Sequence, residues 1–159
     1  MSALLTVVSA VGAGMVAGLF LAFSTAVMKA LKDLPSSQGI AAMRSINVYI
    51  LNPLFLSLFL GTAIACAATV ILTVWDWTTD PSAVYRLSGS ALYLVGAFLV
   101  TVVFNVPRNN ALAAVAPGAE AERLWKDYLS TWTAWNHVRT VATAAGALLL
   151  TIALSAAGS

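Results

Sequence analysis

Charged side chains are scarce in this chain of 159 residues, since Asp, Glu, Lys and Arg together make up 9%. A water-soluble domain carries about 25% of such residues, so this chain has too little charge to cover a water-facing surface. The formal net charge of +2 is also too small for a phosphate-binding surface, which excludes a nucleic-acid partner. The composition therefore indicates an integral membrane protein, with the lipid bilayer as its first partner.

Cysteine and histidine each occur once, as Cys66 and His137. One cysteine excludes an internal disulfide, and the two residues are too few for a structural zinc site. One histidine excludes two axial haem ligands from the same chain, and no Gly-rich dinucleotide motif is present. We therefore expect no metal and no resident cofactor, and the sequence leaves open a haem or metal shared across a dimer.

Long apolar runs dominate what is present, with 60% hydrophobic residues and a mean hydropathy of +0.90. A helix needs about 20 apolar residues to cross a bilayer core, and backbone polar groups in lipid must pair within their own helix. The runs predict an all-α fold, an integral membrane four-helix bundle in a single domain, residues 1–159. The predicted spans are residues 3–28, 46–75, 87–106 and 138–157.

Polar segments and breaker residues delimit these spans. The stretch 119–139 precedes the last span without a break signal, so we expect one long helix with an amphipathic extension outside the lipid. Pro35 predicts a loop after the first span, and Pro107 predicts the end of the third. Gly14 and Gly18 have the spacing of a close helix contact. We favour a contact within the chain, and the sequence leaves both a monomer and a homodimer open.

Basic residues are distributed unevenly between the loops. Of the 8 Lys and Arg residues, all but Arg86 fall in the first and third loops or at their edges. The excess of Lys and Arg on the cytoplasmic side of membrane proteins sets the orientation. The sequence therefore predicts a plasma (inner) membrane protein with cytoplasmic loops at residues 29–45 and 107–137 and with both termini outside.

Polar side chains of different spans gather at one depth, the predicted cytoplasmic boundary. Asn47 and Asn52 open the second span, Asn105 ends the third, and Asn136 and His137 open the fourth. Because polar groups in a span are costly and tend to mark function, this arrangement predicts a polar pocket at the inner leaflet.

The last helix places its polar residues on two stripes. With about 3.6 residues per turn, Tyr128, Trp132, Asn136 and Arg139 share one stripe, with Trp135 at its border. His137 falls roughly a quarter turn away, so both stripes line one cavity only if the cavity wraps around the helix. Simpler interpretations stay open, namely interfacial aromatic anchors, arginines that reach lipid phosphates, and asparagines that bond between helices.

Three segments of the chain resemble a known family. They are similar to the small four-span membrane proteins of the anthrone oxygenase-like family. The segments are Asn105-Val106-Pro107-Arg108-Asn109, Trp125-x-x-Tyr128-x-x-x-Trp132-x-x-Trp135-Asn136-His137-x-Arg139-Thr140 and Asn47-x-x-x-x-Asn52-Pro53. The resemblance implies a four-span fold and a monooxygenase that oxidises anthrones to anthraquinones, with dioxygen as co-substrate.

A cofactor-independent oxygenase of this type needs a base, an oxyanion site and a dry aromatic slot for a hydrophobic aromatic molecule. We predict His137 as the base, with Asn105 and Asn136 as donors to the developing oxyanion. The candidate substrate-binding residues are Trp132, Trp135, Tyr128, Arg108, Arg139, Asn109, Asn47 and Asn52.

Two further functions are consistent with the same residues. One is a membrane protein that binds a quinone, a lipid or another amphiphile without chemistry. The other is a structural bundle or accessory subunit, whose polar residues only pack helices and anchor the interface.

Overall fold

The computed structural model describes residues 2–75 and 82–156, which form helices joined by short turns. The helix α1 consists of Ser2–Ala22, a π-helical turn Phe23–Val27, and Met28–Lys32. Three further helices are α2 (Ser36–Tyr49), α3 (Pro53–Trp75) and α5 (Ala119–Ala156). Between the last two, α4 comprises Ser82–Ala91, the π-helical segments Leu92–Leu99 and Thr101–Asn105, and Val106–Ala114. The all-α prediction is therefore confirmed.

Four of these helices, α1, α3, α4 and α5, are long and apolar enough to cross a membrane. The helix α1 packs against α3 and α5, and α4 packs against the same two helices, so the four form a closed ring. The long last helix is present as expected, since α5 is continuous from Ala119 to Ala156. We call the end of the bundle that carries α2 and the first half of α5 the basic end.

The second predicted span, residues 46–75, is divided by an elbow at residues 50–52. Asn52 joins the two helix ends, because its Nδ2 group donates to Tyr49 O at 2.9 Å and its Oδ1 atom accepts from Phe55 N at 3.0 Å. Pro53 disfavours helical backbone at the residue before it. The segment 29–45 between the first two predicted spans is mostly helical, because α1 continues to Lys32 and Pro35 directly precedes α2.

Pro107 does not end α4, which continues to Ala114. A proline inside a helix removes one backbone donor and crowds the carbonyl one turn earlier. Here the π-helical turn Thr101–Asn105 directly precedes it, and its wider turn relieves that crowding. The Nη1 atom of Arg108 donates to Phe104 O at 2.7 Å. The third span is therefore longer than predicted, and residues 115–118 alone connect α4 to α5.

Two apolar clusters hold the bundle together. The first lies among the spans and includes Phe20, Phe59, Cys66 and Tyr93. The second lies at the basic end, where α2 covers α5. Its members are Met28, Leu31, Ile40, Met43, Leu112, Ala121, Trp125, Tyr128 and Trp132.

Arg44 fastens α2 to the end of α4. Its Nε atom donates to Leu112 O at 2.8 Å, and its Nη2 atom donates to Val115 O. These bonds satisfy carbonyls that the end of a helix leaves without an intrahelical donor. The helix α2 therefore forms a fixed cover over the basic end.

The close helix contacts differ from the one that the sequence predicts. A Cβ atom added to Gly14 or Gly18 would meet nothing within 4 Å, so these glycines pack against no other helix of the chain. A Cβ atom on Gly146 would lie 2.8 Å from Gly89 O. The glycines at which α4 and α5 approach each other are therefore Gly89 and Gly146, together with Gly96, where an added Cβ atom would meet the Cβ atom of Ala142.

We predict that Gly146→Ala destabilises the bundle, whereas Gly18→Ala does not. In both cases alanine gains about 1 kcal/mol of helix propensity, but at Gly146 the added methyl group meets backbone of α4, and overpacking of this kind costs about 1–3 kcal/mol. Thermal unfolding of the purified variants in one detergent measures the difference. Equal midpoints for the two variants would contradict the α4–α5 contact.

Candidate functional site

A cavity of about 100 Å³ lies between the two apolar clusters, where the spans meet the basic end. All five helices contribute to its wall. The apolar part of the lining is Leu19, Phe20, Phe23, Met43, Ile46, Ile50, Leu51, Phe55, Val106 and Trp132. The polar part is Asn47, Thr101, Asn105, Asn109 and Arg139.

Arg139 is the charged residue of this lining, and it is 5% exposed. Its guanidinium group lies over two aromatic rings. The Cζ atom is 4.2 Å from the ring centroid of Phe20 and 5.2 Å from that of Trp132. A cation over the face of an aromatic ring is attracted by the ring quadrupole, and more strongly when water is excluded. The two rings therefore compensate part of the desolvation of Arg139.

Hydrogen bonds fix the orientation of the Arg139 guanidinium. Its Nη1 atom donates to Thr101 Oγ1 at 3.0 Å, and its Nη2 atom donates to Asn136 Oδ1 at 2.6 Å. The Nε atom is buried and has no hydrogen-bond partner. One donor of this cation is therefore without a partner among the described residues.

Asn136 connects this arginine to α1. Its Nδ2 group donates to Phe20 O at 2.8 Å and to Ser24 Oγ at 2.7 Å. The acceptor Phe20 O lies just before the π-helical turn Phe23–Val27, a kind of turn that is frequent at functional sites. With both ends of its amide engaged, Asn136 positions Arg139 and does not line the cavity.

The cavity supplies no acidic partner for Arg139. The lining contains neither Asp nor Glu in the described part of the chain. Asp127, the nearest acid along α5, is about 18 Å away along the helix axis. A buried charge is costly unless it is paired. The site is therefore suited to an anion, or to a group that becomes negative during a reaction.

Asn109 and its partners shape the wall on the basic end. Its Oδ1 atom accepts from Tyr128 Oη at 2.7 Å and from Trp132 Nε1 at 2.9 Å. The rings of Trp125, Tyr128 and Trp132 are stacked, with centroid distances of 5.6 and 5.9 Å between neighbours. This stack and the shared acceptor hold the Trp132 ring in place as a flat wall.

The structure brings five of the predicted site residues together at the cavity, namely Asn47, Asn105, Asn109, Trp132 and Arg139. Two more lie directly behind the wall. Asn136 holds Arg139, and Tyr128 donates to Asn109.

The other predicted site residues lie elsewhere. His137 is exposed and lines a shallow groove on the outer surface with Leu92, Val138, Val141, Ala142 and Ala145. One step along a helix rotates a side chain by about 100°, so His137 faces away from the arginine that its neighbour Asn136 binds. Arg108 bonds to Phe104 O and to Thr131, Trp135 stacks on Phe104, and Asn52 closes the elbow.

Sequence reasoning missed Phe20 and Thr101 as site residues. Thr101 lies four residues before Asn105 and so shares its helix face, which is the signal that identifies it. Phe20 lies in an unbroken apolar run, and nothing in its pattern distinguishes it from its neighbours. Phe20 becomes a site residue only because α5 packs against α1, and the sequence does not show which helices are neighbours.

A family model for the anthrone oxygenases matches residues 54–149, more than half of the chain. The chain belongs to the anthrone oxygenase family. The same comparisons gave no match to a curated protein and none to a solved structure. The resemblance seen in the short segments is thereby confirmed, and membership in the anthrone oxygenase family suggests an oxygenase-like function.

The anthrone oxygenase match covers only part of the cavity wall. It includes Asn105, Trp132 and Arg139, whereas Phe20 of α1 and Asn47 of α2 lie outside it. The four helices capable of crossing a membrane agree with the small membrane proteins of this family.

We predict that Asn136→Ala lowers the stability of the bundle by about 2–4 kcal/mol. The change removes two buried hydrogen bonds to α1 and leaves one Arg139 donor unpaired, and a buried polar group without its bond costs about 1–3 kcal/mol. The matched control is Asn110→Ala, an exposed asparagine on α4. Thermal unfolding in detergent compares the two variants, and a midpoint for Asn136→Ala as high as that of the control would refute the structural role of this residue.

Proposed function

We propose that this chain is a membrane-embedded, cofactor-independent oxygenase of anthrone-like or phenolic polycyclic substrates that uses O2. The observation that supports the proposal most is the buried guanidinium of Arg139, which borders the cavity without an acidic partner. The aromatic rings of Phe20 and Trp132, which also line the cavity, suit a flat, apolar substrate.

The chemistry begins with the acidity of the anthrone. Loss of a proton from its benzylic CH2 group gives an aromatic enolate whose negative charge is concentrated on oxygen. A cation held near this oxygen favours the anion, and the effect is larger where water is excluded. Arg139 supplies such a cation in a fixed orientation, so no reorganisation is needed as the charge develops.

The oxidation then proceeds without an external reductant. The enolate gives one electron to O2, which produces a carbon radical and superoxide, and these two combine to a peroxide at the former CH2 carbon. The peroxide loses water as the second C–H proton leaves, and the carbon becomes the quinone carbonyl. One oxygen atom of O2 enters the product and the other leaves as water.

We assign water as the base that accepts the first proton, which leaves the benzylic CH2 group. His137, the base that the sequence predicts, lies outside the cavity, and the lining contains no carboxylate. In this account Arg139 lowers the pKa of the substrate, which makes a weak base sufficient. The same lack of a base in the lining favours the second candidate function, which is binding of a quinone or another amphiphile without turnover.

The elbow between α2 and α3 suits a substrate that arrives from the lipid. Val48, Tyr49, Leu51 and Leu54 are 62–82% exposed there, and Leu51 also lines the cavity. An apolar surface of this kind, next to the apolar face of a span, is stable in lipid and not in water. With the orientation predicted from the basic loops, the entrance opens from the inner leaflet of the plasma membrane.

We predict that Arg139→Met lowers the rate of anthrone oxidation by about 100-fold or more, the usual loss when one group that stabilises an oxyanion is removed. The measurement is O2 uptake in lipid nanodiscs, with the spontaneous oxidation of anthrone subtracted. Arg123→Met, at an exposed arginine on the same helix, is the matched control and keeps the wild-type rate.

His137→Ala separates this account from the one with histidine as the base. Because His137 lies outside the cavity, the variant keeps its activity within a few-fold. Loss of turnover in His137→Ala with full activity in Arg139→Met would reverse the two roles. Wild-type protein that binds anthrone but takes up no O2 would favour the binding function.

A further inference from the structure

Asn105 carries a hydrogen-bond acceptor that has no partner. The residue is 1% exposed, and its Oδ1 atom is buried without a hydrogen bond. Its Nδ2 group donates to Trp132 O at 3.3 Å. Because a backbone carbonyl can only accept, this bond fixes which end of the amide faces α5 and leaves the oxygen as the free end.

Three of the neighbouring donors are already engaged elsewhere. The single hydroxyl hydrogen of Thr101 goes to Ala97 O, and the Tyr128 hydroxyl and the Trp132 ring donate to Asn109. A buried acceptor without a donor is destabilising. A bound molecule with an O–H group would remove that cost.

Asn105 and Arg139 both line the cavity. Both contact Trp132, the asparagine through the backbone carbonyl and the arginine over the ring. Among the cavity-lining residues, all of which are described, these two have buried polar atoms without partners, one an acceptor and one a donor. A planar ligand beside Trp132 is placed to meet both.

We propose that Asn105 is a specificity-determining residue that accepts a hydrogen bond from a phenolic hydroxyl of the ligand, while Arg139 binds a second, ketone or enolate oxygen. This inference rests on the proposed function and assigns to Asn105 the choice between ligands with and without a hydroxyl donor. A site built around a buried acceptor rejects a ligand that cannot donate, because the acceptor then stays unpaired.

The test measures binding of two anthraquinones, which are products and therefore do not turn over. The probes are 2-hydroxyanthraquinone and 2-methoxyanthraquinone, which share the ring system and the ketones but differ in the O–H donor. Quenching of tryptophan fluorescence in nanodiscs, at a mildly acidic pH that keeps the hydroxyl protonated, gives both dissociation constants. We expect the wild type to prefer the hydroxy compound by about tenfold, the usual value of one such bond.

In the Asn105→Leu variant we expect the two dissociation constants to be about equal. The affinity for the methoxy compound stays unchanged or becomes higher. Asn110→Leu, at the exposed asparagine on the same helix, keeps the tenfold preference. Should Asn105→Leu not fold, Asn105→Ala gives the same comparison with a smaller side chain.

Equal affinities of the wild type for the two probes, or a preference that survives in the Asn105 variant, would overturn the role of Asn105. The proposed function would still stand in that case, because both probes bind. Binding of neither probe, or binding that Arg139→Met does not weaken, would overturn the proposed function together with this inference.

Discussion

The rest of this structure depends on the buried guanidinium of Arg139, for which the described residues of the cavity lining provide no acidic counterion. Removing a cation from water costs several kcal/mol even after relaxation of its surroundings, so the fold must compensate Arg139 by other means. It does so with two aromatic faces and two oxygen acceptors, which come from α1, α4 and α5. These contacts leave one donor unused, and Arg139 lines the cavity.

The irregular features of the fold serve this arrangement. The π-helical turn of α1 follows the Phe20 carbonyl that Asn136 binds, and the π-helical turn Thr101–Asn105 carries two of the cavity residues. The helix α2, fastened by Arg44, covers the aromatic stack of α5 at the basic end. The cavity is therefore a gap between two well-packed clusters, and rigid helices hold its walls.

Much of this could be predicted from the sequence, and the failures have physical reasons. Hydropathy predicts the four spans, because an apolar segment that crosses lipid must pair its own backbone polar groups and therefore forms a helix. The shared depth at the membrane boundary and the helical period of α5 predict that Asn105, Trp132 and Arg139 lie near one another. The same period assigns His137 to another stripe, but only the packing of α5 shows that this stripe faces outward. Pro107 gives a false helix end because a π-helical turn is a property of the backbone that composition does not reveal. Phe20 gives no signal, since an apolar residue in a span has no distinguishing pattern.

The central claim is that Arg139 stabilises negative charge on a ligand oxygen inside the cavity. The most direct test is a titration of protein-bound anthrone without oxygen, in which the coloured enolate is followed by its absorbance. The account predicts that the pKa of bound anthrone in the wild type lies at least about one unit below its value in Arg139→Met, equivalent to about 1.4 kcal/mol. The same pKa in both proteins would show that the guanidinium does not act on the ligand, and would contradict the account.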